Sequence, residues 1–301
     1  MKVGLQIPSF TWPGGGPEIG STLARVVRTA EEAGFDSIWV MDHFFQIRGV
    51  GRVDEPMLEG WTTLGWMAAI TTRVRLGLMV GGVHYRQPGL WVKAATTLDV
   101  LSGGRAWLGI GAAWNQEESE GLGFAFPPLA ERFELLEDTL RFAHEMWRGE
   151  RGTEAPFDGH RVHARRLLNS PQALTRPHPP IMIGGGGERK TLRLVAQYAD
   201  ATNVFGTPEV IAHKYRVLRE HCEDIGRPYD EIERSTLQTI DPTEDGTAGG
   251  ESPARIVDRF GELSDAGAQA VIFSVRGERS VWDTSRLELI GRTIIPQLRP
   301  L

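Results

Sequence analysis

The sequence predicts an α/β fold of the (α/β)8 TIM-barrel kind, and three observations predict it. Strand-like runs alternate with helical runs from one end of the chain to the other, the pattern of a parallel sheet. Eight such pairs can be counted. The 301 residues suit one barrel, a fold that typically takes about 250. A doubly wound open sheet is the alternative with the same alternation. No stretch is rich enough in Gly, Pro and Ser to act as a linker, so residues 1–301 are expected to form a single domain.

The elements follow in order. Val3–Ile7 reads as a strand and Ile19–Ala33 as a helix, closed by Gly34, because glycine most readily takes the left-handed turn past a helix end. Ser37–Met41 is an apolar, buried strand. Trp61–Thr72 is a helix with Leu64, Met67, Ala68 and Ile70 as apolar positions. Val74–Val80 is the third strand and Trp91–Leu101 the third helix, ended by Ser102-Gly103-Gly104. Ala106–Ile110 is the fourth strand. Glu131–Trp147 is a long amphipathic helix with Phe133, Leu136, Leu140 and Ala143 on one face. Four more strands follow at Pro180–Ile183, Ala201–Val204, Glu233–Thr239 and Ala270–Val275. Their helices are Lys190–Tyr198, Val210–Ile225, Ala254–Gly267 and Thr284–Leu298. Residues 149–179 break the alternation as an insertion after helix 4. They hold a possible hairpin over Pro156–His163, and a barrel insertion of this length is expected over the active face.

Composition narrows the function. Apolar residues make up 41% of the chain, which places it far from disordered sequences. Net charge is 33 − 39 = −6, without the basic surplus of a nucleic-acid binder. Cys222 is the only cysteine, which excludes an internal disulfide and a zinc site built on clustered cysteines. The first residues are too short and polar a run for a signal peptide, and no run reaches the ~18 apolar residues of a membrane helix. A cytoplasmic protein without a membrane partner is expected.

In a barrel, chemistry gathers where strands end. Strand 2 ends in Met41-Asp42-His43-Phe44, an acid beside a histidine that titrates near neutral pH. The plainer alternative is that Asp42 caps a turn and His43 packs among Phe44 and Phe45. Strand 3 ends in Met79-Val80-Gly81-Gly82, where paired glycines point to a bulge, a close ligand approach or an ordinary tight loop. Strand 4 ends in Gly111-Ala112-Ala113-Trp114-Asn115. The small residues there let a flat cofactor lie against backbone or pack the barrel layers, and Asn115 offers donors and acceptors. Strand 5 ends in Gly184-Gly185-Gly186-Gly187 and opens a helix. Free backbone N–H groups and the helix dipole make such a loop a phosphate cradle, with Arg189 or Lys190 adding charge. It is neither a Walker A loop nor a dinucleotide fingerprint.

The stretches IWVMDHF, LGLMVGGVHYRQPG, ATTLDVLSGGRAWLGIGAAWNQEE, PPLAERFELLEDTL and PPIMIGGGGERKTLRLVAQYADATN together resemble the luciferase-like superfamily, and within it the class that uses the deazaflavin coenzyme F420. The resemblance implies a luciferase-like barrel, usually dimeric, with the flat cofactor at the C-terminal face. It implies that Asp42 contacts the ring region and that His43 is the acid/base beside the transferred hydride. Gly81 and Gly82 would line the ring face, Asn115 would bond the cofactor, and Gly185, Gly186 and Gly187 would cradle its phosphate. It also implies a non-prolyl cis peptide between Met79 and Val80, which puts both beside the ring. One departure stands out. Related sugar-phosphate dehydrogenases carry a glutamate in the fourth-strand segment where this chain has Ala112, which counts against a sugar-phosphate substrate.

The expected function is therefore hydride transfer between F420 and a small organic substrate, with Trp114, Phe44 and residues 149–179 excluding water. The alternatives are an FMN-dependent monooxygenase of the same superfamily and a cofactor-binding barrel without catalysis. A homodimer is expected, with Trp61, Trp66 and Trp91 as candidate interface residues or, equally, as packing against the barrel.

Overall fold

The computed structural model describes residues 1–247, 249–276 and 280–301. Eight parallel strands form the barrel. They are β1 (Lys2–Ile7), β2 (Ser37–Val40), β3 (Arg75–Leu78), β4 (Ala106–Gly111), β5 (Ile181–Gly184), β6 (Ala201–Val204), β7 (Glu233–Ile240) and β8 (Ala270–Val275). Each pairs with its sequence neighbours. β1 lies between β2 and β8, with Leu5 opposite both Ile38 and Phe273. The register Leu76↔Ala106 and Gly77↔Trp107 joins β3 to β4. The order therefore runs 3-2-1-8-7-6-5-4 and returns to 3, a closed barrel rather than an open sheet.

The helices are α1 (Gly16–Glu32), α2 (Gly60–Ile70), α3 (Pro88–Ser102), α4 (Gln116–Gly121), α5 (Leu129–Trp147), α6 (Thr191–Tyr198), α7 (Pro208–Ile225), α8 (Pro253–Asp265), α9 (Ser285–Thr293) and α10 (Ile295–Leu298). Several begin earlier than hydrophobic periodicity predicts. α1, α3, α7 and α8 start on a first-turn proline, whose missing N–H is no loss there. Thr207 and Ser252 cap α7 and α8 by accepting from the backbone N–H of Val210 and Arg255. The last predicted helix is broken at Ile294, because Pro296 cannot continue the hydrogen-bond ladder. The short α4 follows β4 and is absent from the sequence reading.

Trp39, Met79, Trp107, Met182, Ala201 and Ile272 fill the barrel interior as a cluster distinct from the larger layer between strands and helices. β3 and β4 approach so closely that a Cβ on Gly109 would meet the Leu78 carbonyl oxygen at 1.8 Å. Beyond Leu78 the chain bulges. The Met79–Val80 peptide is cis, as the resemblance implied, and pairing resumes with Gly81 and Gly82 beside Ile110 and Gly111.

The insertion corrects one expectation. Its hairpin forms, with Phe157–Asp158 antiparallel to His163–Ala164. It does not lie over the active face. The Asp99 carboxylate of α3 accepts from the N–H of Leu174 and Thr175 at 2.7 and 2.8 Å. Asp138 of α5 accepts from Arg161 at 2.6 Å and Val162 at 3.1 Å. Residues 149–179 join a helix to the start of the next strand, so topology carries them away from the strands' C-terminal ends and onto α3 and α5. The tryptophans divide as well. Trp91 is fully buried with Trp61 packed edge-on to it at 6.1 Å, and of the three only Trp66 is substantially exposed. Among the described residues, no helix is long and apolar enough to cross a membrane.

Candidate active site

A cavity of 560 Å³ opens at the C-terminal ends of the strands, and the eleven residues read from the sequence as acid/base or cofactor-binding line it, whereas Phe44, Arg189 and Lys190 do not. The eleven are Asp42 and His43 after β2, Met79, Val80, Gly81 and Gly82 in the bulge after β3, Asn115 after β4, and Gly184 to Gly187 after β5. Ala112, Trp114, Leu129, Phe133 and Phe205 complete much of the apolar wall. No residue of 149–179 lines it. The β4–α5 connection does instead, with Trp114 standing 62% exposed at the rim.

Asp42 is buried, and its carboxylate is taken by a neighbour. Arg86 reaches it with two parallel bonds of 2.7 and 2.8 Å, and the N–H of Gly82 donates at 3.3 Å. Arg86 also pairs with Glu59 at 2.6 Å and lies 4.7 Å from the Trp91 ring. Burial pushes the Asp42 carboxyl up against the pull of Arg86. Burial also opposes the Arg86 charge, but its bonds to Asp42 and Glu59 outweigh that and raise its pKa. The bidentate geometry is that of an ionised pair. Asp42 thus pins the bulge after β3, and the ring contact implied by the resemblance would have to share a carboxylate already in use.

His43 is held by a residue the sequence reading missed. Its Nδ1 lies 2.5 Å from Glu118 Oε1, and the Tyr85 hydroxyl donates to the same oxygen at 2.5 Å. The other oxygen, Oε2, accepts from the backbone N–H of Phe44 at 2.8 Å and of Phe45 at 3.1 Å. Glu118 is fully buried. Burial alone would raise its carboxyl, but the bonds from His43, Tyr85 and Phe45 outweigh it and leave the group below the usual carboxylate range. Tyr85 moves the other way, through burial and then through its bond to the Glu118 charge. An ionised Glu118 requires a proton on Nδ1, so Nε2 is the nitrogen left for exchange. Phe44 does not shield the mouth. It packs against Tyr85 and Phe124 at 5.1 and 5.2 Å, behind the histidine, while Trp114 stands edge-on to the His43 ring at 5.5 Å.

The short α4 that carries Glu118 is clamped from both ends. Ser119 donates to the Asn115 carbonyl and meets His84 Nε2, both at 2.8 Å. Arg132 donates to the carbonyls of Ala112 and Ala113 at 2.9 and 2.5 Å. That holds Ala113 at φ 61°, a left-handed conformation unusual for a residue with a Cβ. The sequence signal for Glu118 was weak. Glu117, Glu118 and Glu120 form an acidic run straight after a strand end, and only burial distinguishes Glu118 from its exposed neighbours.

The glycines serve two purposes. A Cβ on Gly81 would strike Trp91 at 2.3 Å, one on Gly82 would strike Tyr85 at 2.7 Å, and one on Gly184 would strike Val80 at 2.8 Å. These three are required by packing around the bulge. The remaining loop differs. Gly185 has φ +121°, and a Cβ on Gly186 would meet the Lys214 stem in ordinary contact at 3.6 Å, without a clash. Lys214 Nζ is 2.5 Å from Glu188, and α6 begins just beyond the loop. Backbone, a helix N-terminus and a nearby ammonium therefore converge on this corner of the cavity.

Residues 1–245 match the Luciferase-like monooxygenase family. The chain belongs to that family. An F420-dependent glucose-6-phosphate dehydrogenase of Kineococcus radiotolerans is 33% identical over 218 residues, which cover 71% of this chain and 61% of that relative's length. Among solved structures, an F420-dependent tetrahydromethanopterin reductase from Methanopyrus kandleri superposes with a TM-score of 0.81 at 18% identity, covering 99% of both chains. An F420-dependent secondary alcohol dehydrogenase in complex with an F420–acetone adduct gives 0.83 at 15% identity, covering 99% of both chains. At these identities the two structures establish the shared luciferase-like barrel.

Proposed function

We propose that this protein is an F420-dependent oxidoreductase in which His43 is the acid/base for hydride transfer to or from a small organic molecule. The observation that carries the reading is His43 on the wall of the mouth cavity, held from behind by the buried Glu118. The cofactor assignment draws support from the 33%-identical relative, whose name is F420-dependent.

The residues present fit such a cofactor. The cavity is flanked by a bulge that brings backbone to its wall, and it ends in a glycine loop with room for an anion at Gly186. Gly185, Gly186 and Gly187 would hold the phosphate, with Lys214 beside them, and Met79, Val80 and Asn115 would border the ring. When bound, the deazaflavin supplies a carbon that gives or accepts a hydride, so the chemistry proceeds by electron pairs. The protein supplies a dry, oriented site and a proton. Glu118 fixes the His43 tautomer, so that neutral His43 takes a proton at Nε2 and protonated His43 delivers one there.

Ala112 narrows the substrate. It lines the cavity at the place where the resemblance implies a glutamate for a sugar-phosphate dehydrogenase, and in this reading His43 acts without a second carboxylate. Fluorescence quenching with purified F420 and FMN tests the reading. Saturable binding of F420 in preference to FMN is expected, and the reverse preference overturns the proposal in favour of a flavin monooxygenase.

A further inference from the structure

A second cavity, of 520 Å³, lies beside the first at the barrel mouth and is lined from β1, β7, β8 and the loops after β1 and β2. The two share four residues: Gln6, Met41, Ile47 and Leu237. Three of these are apolar. The fourth, Gln6, is 5% exposed, and its carboxamide makes no hydrogen bond among the described residues. Neither amide atom is sealed away from the two cavities it lines, so its donors and its acceptor stand open to whatever fills them. Gln6 therefore stands on the boundary between the two spaces with its bonding capacity free.

The rest of the second cavity describes what it accepts. Its polar side chains are mainly the hydroxyls of Ser9, Thr11, Thr239 and Ser274. Among the described lining residues, the charged ones are Glu55 and Arg276, one of each sign, and Glu55 already accepts from Thr11 at 2.8 Å. A phosphate ester or other strong anion calls for a concentration of positive charge, and the described lining residues supply Arg276 alone, balanced by Glu55. We propose that this cavity seats an uncharged carbonyl or alcohol substrate, and that Gln6 is the residue that hydrogen-bonds its oxygen at the junction with the cofactor cavity. The amide N–H serves a carbonyl oxygen, and the amide oxygen serves a hydroxyl, so one side chain fits both redox partners. The proposal rests on the hydride-transfer reading above.

The test is calorimetric titration of cyclohexanone, cyclohexanol and glucose 6-phosphate into F420-loaded wild-type protein, Gln6→Ala and the volume-conserving Gln6→Leu. F420 quenching is measured on the same three proteins. The expected result is saturable binding of a neutral probe to wild type, weakened by about fivefold or more in both variants through loss of the amide bond, with F420 affinity unchanged. Equal binding in wild type and Gln6→Leu overturns the proposal. So does glucose 6-phosphate binding more tightly than the neutral probes, or no neutral probe binding at all. An F420 affinity that falls with the substitutions assigns the amide to the cofactor and also overturns it. Wild-type protein that fails to bind F420 overturns the parent reading and this one with it, a result distinct from all the others.

Discussion

Exchanging Glu118 for Gln replaces one oxygen by an amino group and changes the fate of four hydrogen bonds. The carboxylate accepts from His43 and Tyr85 on one oxygen and from the N–H of Phe44 and Phe45 on the other. If the amide nitrogen faced the two backbone donors, neither could reverse, and each would be stranded at about 1–3 kcal/mol. The amide therefore turns its oxygen to the backbone and its N–H2 to Tyr85 and His43. Tyr85 rotates its hydroxyl and accepts. His43 accepts only by giving up the proton on Nδ1, which moves to Nε2, the nitrogen that should be exchanging with substrate. A general acid/base contributes about 10²–10⁴-fold, and the wrong tautomer is expected to forfeit at least about 10²-fold of kcat. F420 affinity should hold, because Glu118 does not line the cavity. Stability should fall by about 1.5–3 kcal/mol as bonds to a charged acceptor become neutral ones. Glu118 is depressed in the folded protein, so its contribution is present above the ordinary value of 4.5 and lost as pH falls through the folded pKa. The variant should therefore show a shallower loss of stability on the acid side. Stopped-flow turnover, F420 quenching and urea unfolding from pH 3 to pH 7 are the measurements. Wild-type kcat in Glu118→Gln would refute the role given to the pair.

Other outcomes are expected from single changes. His43→Ala should lower kcat by about 10²–10⁴-fold in the same assay while F420 affinity measured by quenching changes little. Gly186→Asp meets only the Lys214 stem, in ordinary contact, so circular dichroism should show an intact fold, while F420 binding weakens by about tenfold or more through repulsion of the phosphate. Burial lowers His84 from 6.5 to about 4, helped by the charge of Arg132. The unfolded chain then holds the extra proton, so this stability is complete above pH 6.5 and lost as pH falls towards 4. His84→Gln, which can keep the Ser119 contact, should flatten the unfolding free energy across that window by up to roughly 3 kcal/mol.

Alternation and length were enough to read the barrel, because eight strand–helix units have few other ways to bury their apolar faces. The glycine loop and the Asp42-His43 pair were legible for a local reason: each sits where a strand ends, and barrel topology brings every such end to one face. The chemistry of the site was less legible. Asp42 was read as a cofactor contact, yet it closes on Arg86, 44 residues away, and neither residue signals the other in sequence. Glu118 is 75 residues from His43 and rides on a six-residue helix too short to leave a periodic trace. Gln6 passed as one polar residue in an apolar strand, and only the two cavities on either side of it give it meaning. The insertion was misplaced because its length was weighed without the rule that helix-to-strand connections return to the opposite end of the barrel.

The two neighbouring cavities also bear on how such a chain diversifies. One wall set comes from segments at 79–85, 111–115 and 184–191, the other from segments at 6–11, 49–55, 274–276 and 280–282. Apart from the shared residues, the walls are written in separate stretches of sequence. The family match ends at residue 245, short of the last of those stretches. Drift or recombination confined to the second set would reshape one chamber and spare the bulge, the glycine loop and the His43–Glu118 pair. Grafting residues 270–301 between relatives is accordingly a route to a reshaped second chamber that leaves the walls of the first untouched.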